Sequence, residues 1–132
     1  MTKDEILAME PGRELDALVA EKIFGLKYKE CIGCYIDSNG DEQKIQRHST
    51  EIAAAWEVVE KMYIEGFRYT INILDDWRFE KPTQHCCFAK LKPDCTDGSC
   101  TKSYDHFHAY GDTVPGVVCK AALLAVGEAS ND

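Results

Sequence analysis

Two pairs of cysteines are the residues of this chain whose types and spacing point most directly to chemistry. They occur in the segments Cys31-Ile-Gly-Cys34 and Cys95-Thr-Asp-Gly-Ser-Cys100. Both segments contain glycine and are turn-like, and four thiolates can hold one zinc ion in a tetrahedral site. One prediction is therefore a zinc site formed by Cys31, Cys34, Cys95 and Cys100. The alternative is that they are free thiols in solvent-facing loops, with the other cysteines buried as small hydrophobic residues.

The remaining thiol chemistries fit the sequence less well. The chain has seven cysteines, an odd number that suits a fully paired disulfide framework poorly. The acidic N-terminal segment predicts no signal peptide, so the expected compartment is the cytoplasm, where disulfides are rare. A redox CxxC usually precedes a helix whose N-terminus lowers the thiol pKa. Here the polar, turn-rich stretch YIDSNGDEQK follows the motif instead.

A second group of candidate ligands contains histidines. Alternate residues of a strand share a face, so His106 and His108 would lie about 6–7 Å apart at the backbone. That spacing suits a metal ion, with His85 or Asp105 nearby, although exposed histidines on a polar sheet face need no ligand. His85 and Cys87 would also share a face, but a strand cysteine with no helix N-terminus beside it lacks an obvious means of activation. We therefore predict no catalytic residue.

Polar and aromatic side chains in phase with the two strand histidines would form one sheet face. Such a face could hold a nucleotide-like ligand, because aromatic rings stack on bases while arginine and histidine bind phosphate. The alternative is a solvated outer face that binds nothing. The predicted ligand-binding residues are Arg68, Asn72, Tyr104, His106, His108 and Tyr110.

The elements that position these residues follow from the apolar pattern. Helical spacing predicts a helix over about 12–24 and a second that opens at Ser49 or Thr50, as N-cap, and ends at Gly66. Its core stripe is expected to contain Ile52, Trp56, Val59 and Met62 or Tyr63. Between these helices lies a polar stretch in which two short extended arms flank the turn at 38–41.

Period-two alternation predicts three strands, over about 67–73, 85–91 and 103–110. Thr113 then caps a last helix that is apolar nearly all round as far as Val126, so it is either sandwiched inside the fold or buried in an oligomer contact. The predicted fold class is α+β: two N-terminal helices, a three-stranded antiparallel sheet and a C-terminal helix, arranged as a sandwich.

Size and charge restrict the function classes. A chain of 132 residues is the length of one domain, so we expect a single domain over 1–132 with loop insertions at about 26–48 and 92–102. Its formal net charge of −8 argues against binding to nucleic acid or to an anionic membrane surface. No apolar run approaches the roughly 20 residues of a membrane span.

Three segments together resemble the phage ABA sandwich domain family: MEPGRELDALVAEKIFG at 9–25, STEIAAAWEVVEK at 49–61 and TVPGVVCKAALLA at 113–125. The resemblance implies an α+β sandwich encoded by a phage or prophage, chiefly of Bacillus-like hosts, and hence the cytoplasm of a bacterial host. It implies no catalytic residues, because the activity of the family is not established. Both cysteine pairs lie where the chain departs from the family pattern, so zinc there would be a local elaboration. A double-stranded-RNA-binding domain has a similar element order, but the last helix lacks the lysine-rich start that such domains need.

The expected function is that of a small non-enzymatic phage protein acting through protein–protein contacts, including self-association through the apolar last helix. No strong catalytic motif is present in the sequence. One alternative is a counter-defence protein that sequesters a nucleotide-derived second messenger. A further alternative is an enzyme that depends on zinc or a thiol.

Overall fold

A computed structural model describes residues 2–29, 33–75, 82–91 and 104–130. In chain order, its elements are α1 (Lys3–Ala8), α2 (Arg13–Lys22), β1 (Lys27–Lys29), β2 (Cys34–Ile36), β3 (Glu42–Gln43), α3 (Ile52–Ile64), β4 (Arg68–Leu74), β5 (Thr83–Leu91), β6 (Tyr104–Gly111) and α4 (Val114–Ser130). The predicted α+β class is confirmed. The structure adds the short helix α1 and a second small sheet.

The main sheet has the order β4-β5-β6, with both pairs antiparallel. Its register aligns Asn72 with His85 and His85 with Tyr110, and it aligns Cys87 with His108. Because side chains alternate across a strand, one sheet face buries Cys86, Phe88 and Ala109 against the helices. The opposite face carries the polar residues of all three strands.

The small sheet has the order β1-β2-β3. A tight turn joins β2 to β3: the Asp37 carboxylate accepts hydrogen bonds from the backbone N–H groups of Asn39 and Asp41 at 2.9 and 3.0 Å, and Gly40 has a φ of 84°. The predicted turn and its two short arms are therefore present, and β1 pairs with β2 to add a third strand.

Helix α4 lies at the centre of the molecule. It packs against β5 and β6 on one side and against α1, α2 and α3 elsewhere, and its residues Val117, Val118, Cys119 and 121–125 are buried within the single chain. Of the two alternatives that its apolar sequence left open, the sandwiched helix is correct. The apolar character of α4 is thus explained without an oligomer contact.

The predicted core stripe of α3 is correct for Val59 and Met62 and wrong for Ile52 and Trp56. Its buried face consists of Ala54, Ala55, Val58, Val59 and Met62, whereas Ile52, Trp56 and Tyr63 are 61%, 47% and 66% exposed. The physical reason is that small alanines lie against α4, which leaves the large apolar residues on the outside. Trp56 is therefore a surface residue rather than a core residue.

The predicted cap of α3 is also wrong, because the N-cap residue is Glu51 and makes no side-chain capping bond. Ser49 instead ties this segment to α2. Its hydroxyl donates to Oδ1 of the buried Asp16 at 2.6 Å and accepts a bond from the Gly12 N–H at 2.9 Å. The predicted cap of the last helix is confirmed, since Thr113 Oγ1 accepts from the Gly116 N–H at 3.3 Å.

Candidate functional site

The polar face of the main sheet brings the predicted strand residues together. Strand alternation and the register place all six predicted ligand-binding residues on this face, together with His85 and Cys87 from the middle strand. Arg68 is separated from His106 by Ala89, and Tyr104 lies one row beyond them. The side chains that lie next to one another on this face are therefore those of Asn72, His85, Cys87, His106, His108 and Tyr110. We call this group the histidine face.

A chain of hydrogen bonds orients two of its imidazoles. Asn72 Oδ1 lies 2.8 Å from His85 Nδ1, and His85 Nε2 lies 2.9 Å from His108 Nδ1. A carbonyl oxygen can only accept, so His85 carries a proton on Nδ1, and in the neutral ring its Nε2 accepts from His108. The Nε2 atom of His108 is consequently the nitrogen with the available lone pair.

That nitrogen is directed toward the sulfur of Cys87. The distance from Cys87 Sγ to His108 Nε2 is 3.9 Å, and Cys87 Sγ lies 3.6 Å from His106 Nδ1. Cys87, although it is on the polar face, is only 7% exposed because the two histidine rings flank it. One donor atom from each of these three residues lies within 4.8 Å of the others, which makes them a candidate metal-ligand set.

The buried thiols of Cys86, Cys87 and Cys119 are not activated as nucleophiles. Burial raises the pKa of Cys87, and it raises the pKa of Cys86 in the core to about 12. Burial also raises the pKa of Cys119 inside α4. These three cysteines are therefore protonated thiols near neutral pH.

The rings of the histidine face stack on one another. The centroid distance is 4.7 Å between His85 and Tyr110, 5.2 Å between His85 and His108, and 5.9 Å between His106 and His108. Burial lowers the pKa of His85, with His108 acting in the same direction. His85 is accordingly neutral near pH 7, as the hydrogen-bond chain requires.

The predicted four-cysteine zinc site remains a prediction. Cys34 is half-buried in β2, whereas Cys31, Cys95 and Cys100 lie outside the described residues. The group that sequence reasoning missed is Cys87 with His106 and His108. Alternation along β5 and β6 placed each residue on its face, but only the register between the strands brings the sulfur to the two imidazoles.

A second surface feature is apolar and lies at the junction of α3 and β4. Trp56, Tyr63 and Ile64 from α3 line a shallow groove of about 500 Å³ with Tyr69 of β4, and Glu60 lies at its rim. Further along the same side of β4 is Ile73, which is 62% exposed. We call these five apolar residues, Trp56, Tyr63, Ile64, Tyr69 and Ile73, the α3–β4 surface.

None of the helices in the described parts of the chain combines the length and the apolarity that a membrane crossing requires.

Comparison with known proteins gives one consistent result. A family model described as the phage ABA sandwich domain matches residues 17–123. Among solved structures, a phage protein from Bacillus cereus ATCC 14579 is 27% identical and has a TM-score of 0.58, over 88% of this chain and 91% of that chain. The search of curated proteins found no match. The resemblance predicted from the three sequence segments is confirmed.

Proposed function

Because the chain belongs to the phage ABA sandwich domain family, we propose that it is a small non-enzymatic protein that acts through protein–protein contact at its α3–β4 surface. The observation that carries the proposal is the exposure of large apolar side chains on neighbouring elements. Ile64 is 78% exposed, Tyr63 66% and Trp56 47%. Contiguous apolar patches of this kind mark interaction sites, and tryptophan and tyrosine are the residues on which interfaces most often depend.

The first occupant of this surface is a second copy of the chain. Within the described residues β4 pairs only with β5, so its other edge presents unpaired backbone groups beside the apolar side chains. An antiparallel pair of β4 strands about a two-fold axis at Ile71 would set Tyr69 against Ile73 of the second copy. It would also set Arg68, which begins the strand, opposite Leu74 of the second copy, which ends it. The strand is thus complementary to itself in its apolar surface.

The other edge of the sheet is less suited to such a contact. β6 presents Asp105, His106 and His108 as exposed polar side chains, and its partner is also β5. An exposed, charged edge strand is a common means by which proteins avoid edge-to-edge pairing. The contrast between the two edges favours β4 as the interface.

The proposal is tested by sedimentation velocity over a range of protein concentrations. We expect a reversible dimer that dissociates on dilution. Ile73→Lys places a charge beside the outer edge of β4, and Trp56→Glu places a charge in the groove. Each variant should be a folded monomer. Tyr28→Lys is the matched control, since Tyr28 is an equally exposed aromatic residue (50%) on the small sheet. A monomer at every concentration, or a dimer unaffected by both variants, would contradict the proposal.

The histidine face supports a second candidate, the binding of a nucleotide-derived messenger. Tyr110 is 51% exposed and Arg68 is exposed on the same face, which would provide a stacking ring and a phosphate ligand. Tyr110 already stacks on His85, so only its other side is available to a base. A thermal-shift screen with cyclic and ADP-ribose-type nucleotides tests this candidate, and no shift at millimolar ligand would remove it.

A further inference from the structure

We propose that Cys87, His106 and His108 form a binding site for a single transition-metal ion of the zinc class, with His85 and Asn72 as the residues that position it. Its three ligands lie on β5 and β6, whereas the contact proposed for the α3–β4 surface uses the outer edge of β4, so failure of one proposal leaves the other standing. It uses different residues from the zinc site predicted for Cys31, Cys34, Cys95 and Cys100.

The two distances from the Cys87 sulfur to the histidine nitrogens are close to those of a tetrahedral metal centre. With metal–sulfur and metal–nitrogen bonds of about 2.3 and 2.05 Å, the tetrahedral angle sets sulfur and nitrogen about 3.6 Å apart. In the structure Cys87 Sγ is 3.6 Å from His106 Nδ1 and 3.9 Å from His108 Nε2. Both sulfur–nitrogen distances are therefore within a few tenths of an ångström of those that a bound ion requires, and all three donor atoms lie within 4.8 Å of one another.

Hydrogen bonds with neighbouring residues fix the ring orientation and the tautomer of one ligand, His108. Metal-binding histidines almost always donate the proton of their second ring nitrogen to an acceptor, which fixes the ring and its tautomer. His108 does so to His85 Nε2 at 2.9 Å, and Asn72 Oδ1 in turn holds the Nδ1 proton of His85 at 2.8 Å. This chain leaves the lone pair on the same His108 nitrogen that lies near the sulfur. Two independent observations thus agree on one binding atom.

The ligand set decides the class of metal. One thiolate and two imidazoles suit zinc and its close relatives, whereas calcium and magnesium require oxygen ligands. On binding, the thiol proton of Cys87 is released to solvent and a metal–sulfur bond forms, so one proton leaves for each ion bound. Three protein ligands leave a fourth position for water, because His106 and His108 are exposed.

The test is titration of the metal-free, full-length chain with Co²⁺, followed by competition with Zn²⁺. Cobalt bound to a thiolate gives an intense sulfur-to-metal charge-transfer band, so the spectrum reports the ligand as well as the affinity. We expect one equivalent to bind with this band present, and Zn²⁺ to displace it. Cys87→Ser should abolish the band, and His106→Gln or His108→Gln should weaken binding by more than about 100-fold. The two histidines are exposed, so their replacement tests the site even if Cys87→Ser does not fold.

Three further variants separate this site from its alternatives. A chain in which Cys31, Cys34, Cys95 and Cys100 are all serine should retain the band, because its thiolate is Cys87. Asn72→Leu should keep the charge-transfer band yet weaken Co²⁺ binding by about 10–100-fold. Asn72→Asp retains a hydrogen-bond acceptor for His85 and should therefore recover most of the lost affinity. Absence of Co²⁺ binding at micromolar concentrations in the wild-type chain would overturn the proposal. So would a Cys87→Ser spectrum equal to that of the wild type, or loss of the band in the chain with the four serine replacements.

Discussion

The indole of Trp56 meets the ring of Tyr69 edge-on, with ring centroids 5.9 Å apart and an interplanar angle of 84°. This contact joins the outer side of α3 to the edge strand β4. Both rings stay substantially exposed, at 47% and 41%. An edge-to-face aromatic pair on the surface is held in place without being buried, which is the condition expected of a preformed contact surface.

The charge of the chain gives the contact a characteristic salt dependence. Each copy carries a formal net charge of −8, and Glu60 lies at the rim of the groove. Two such chains repel each other, and salt screens that repulsion. We therefore expect the dimer dissociation constant to fall between about 0.05 and about 0.5 M NaCl. A constant that rises with salt would contradict this expectation, because attraction between opposite charges would then dominate the contact between the two copies.

A pair of glycines in α4 tests the central position of this helix. A Cβ atom added at Gly116 would lie 2.8 Å from Pro11 Cγ, whereas one added at Gly127 would have no neighbour within 4 Å. Gly116→Ala should lower the free energy of unfolding by about 1–3 kcal/mol through overpacking. Gly127→Ala should raise it by up to about 1 kcal/mol, because alanine is the better helix former. Urea denaturation of both variants checks the opposite signs, and equal effects would contradict the packing of α4 against residue 11.

The hydrogen bond between Ser49 and Asp16 should make a large contribution for a single polar pair. Ser49→Ala removes the hydroxyl that donates to the buried Asp16 carboxylate, and it also removes the acceptor of the Gly12 N–H. Leaving these groups without that partner should cost about 1–3 kcal/mol. Ser38→Ala, at an exposed turn position, is the matched control and should change stability by less than about 0.5 kcal/mol. Equal denaturation midpoints for the two variants would show that the Ser49 bond is unimportant.

His48 should make the fold sensitive to mild acid. Its ring is buried and stacks on Phe24, and burial lowers its pKa despite the opposing effect of Glu57 and Asp16. The unfolded chain, with the ordinary pKa near 6.5, then binds the proton more readily than the folded chain. The free energy of unfolding should therefore fall as pH decreases from about 6.5 toward the folded pKa, with a slope of at most about 1.4 kcal/mol per pH unit for one proton.

His48→Phe keeps a ring against Phe24 and cannot bind a proton. The difference between wild type and variant, measured by urea denaturation at several pH values, isolates the His48 contribution because the other titrating groups cancel. We expect that difference to be flat above about pH 7 and to change below about pH 6.5. A difference that is constant with pH would show that His48 titrates normally in the folded chain.

The strand faces could be predicted from the sequence, but the rotation of α3 and the sulfur–imidazole group could not. Period two placed His106 and His108 opposite Phe107 and Ala109, and the structure agrees. Helix α3 has apolar residues on more than one side, so local spacing did not distinguish Trp56 outside from Ala55 inside. Only packing against α4 decides between them.

The histidine face depends on a longer-range feature. The register that aligns Cys87 with His108 is set across a connection of twelve residues between β5 and β6. The hydrophobic pattern determines which face of the sheet each residue occupies. A shift of the register between two strands by two residues keeps every residue on its face, so the pattern hardly opposes it. Sequence reasoning could therefore name the histidines but not their sulfur partner.

The most direct test of contact through β4 is amide hydrogen exchange measured at two protein concentrations, one below and one above the dimer dissociation constant. We predict that amides in 68–74 become more protected at the higher concentration, because the free edge of β4 then pairs with its copy. The amides of β6, at the other edge, should exchange equally at both concentrations. Exchange in β4 that does not depend on concentration, while the chain is shown to dimerise, would contradict the proposed contact.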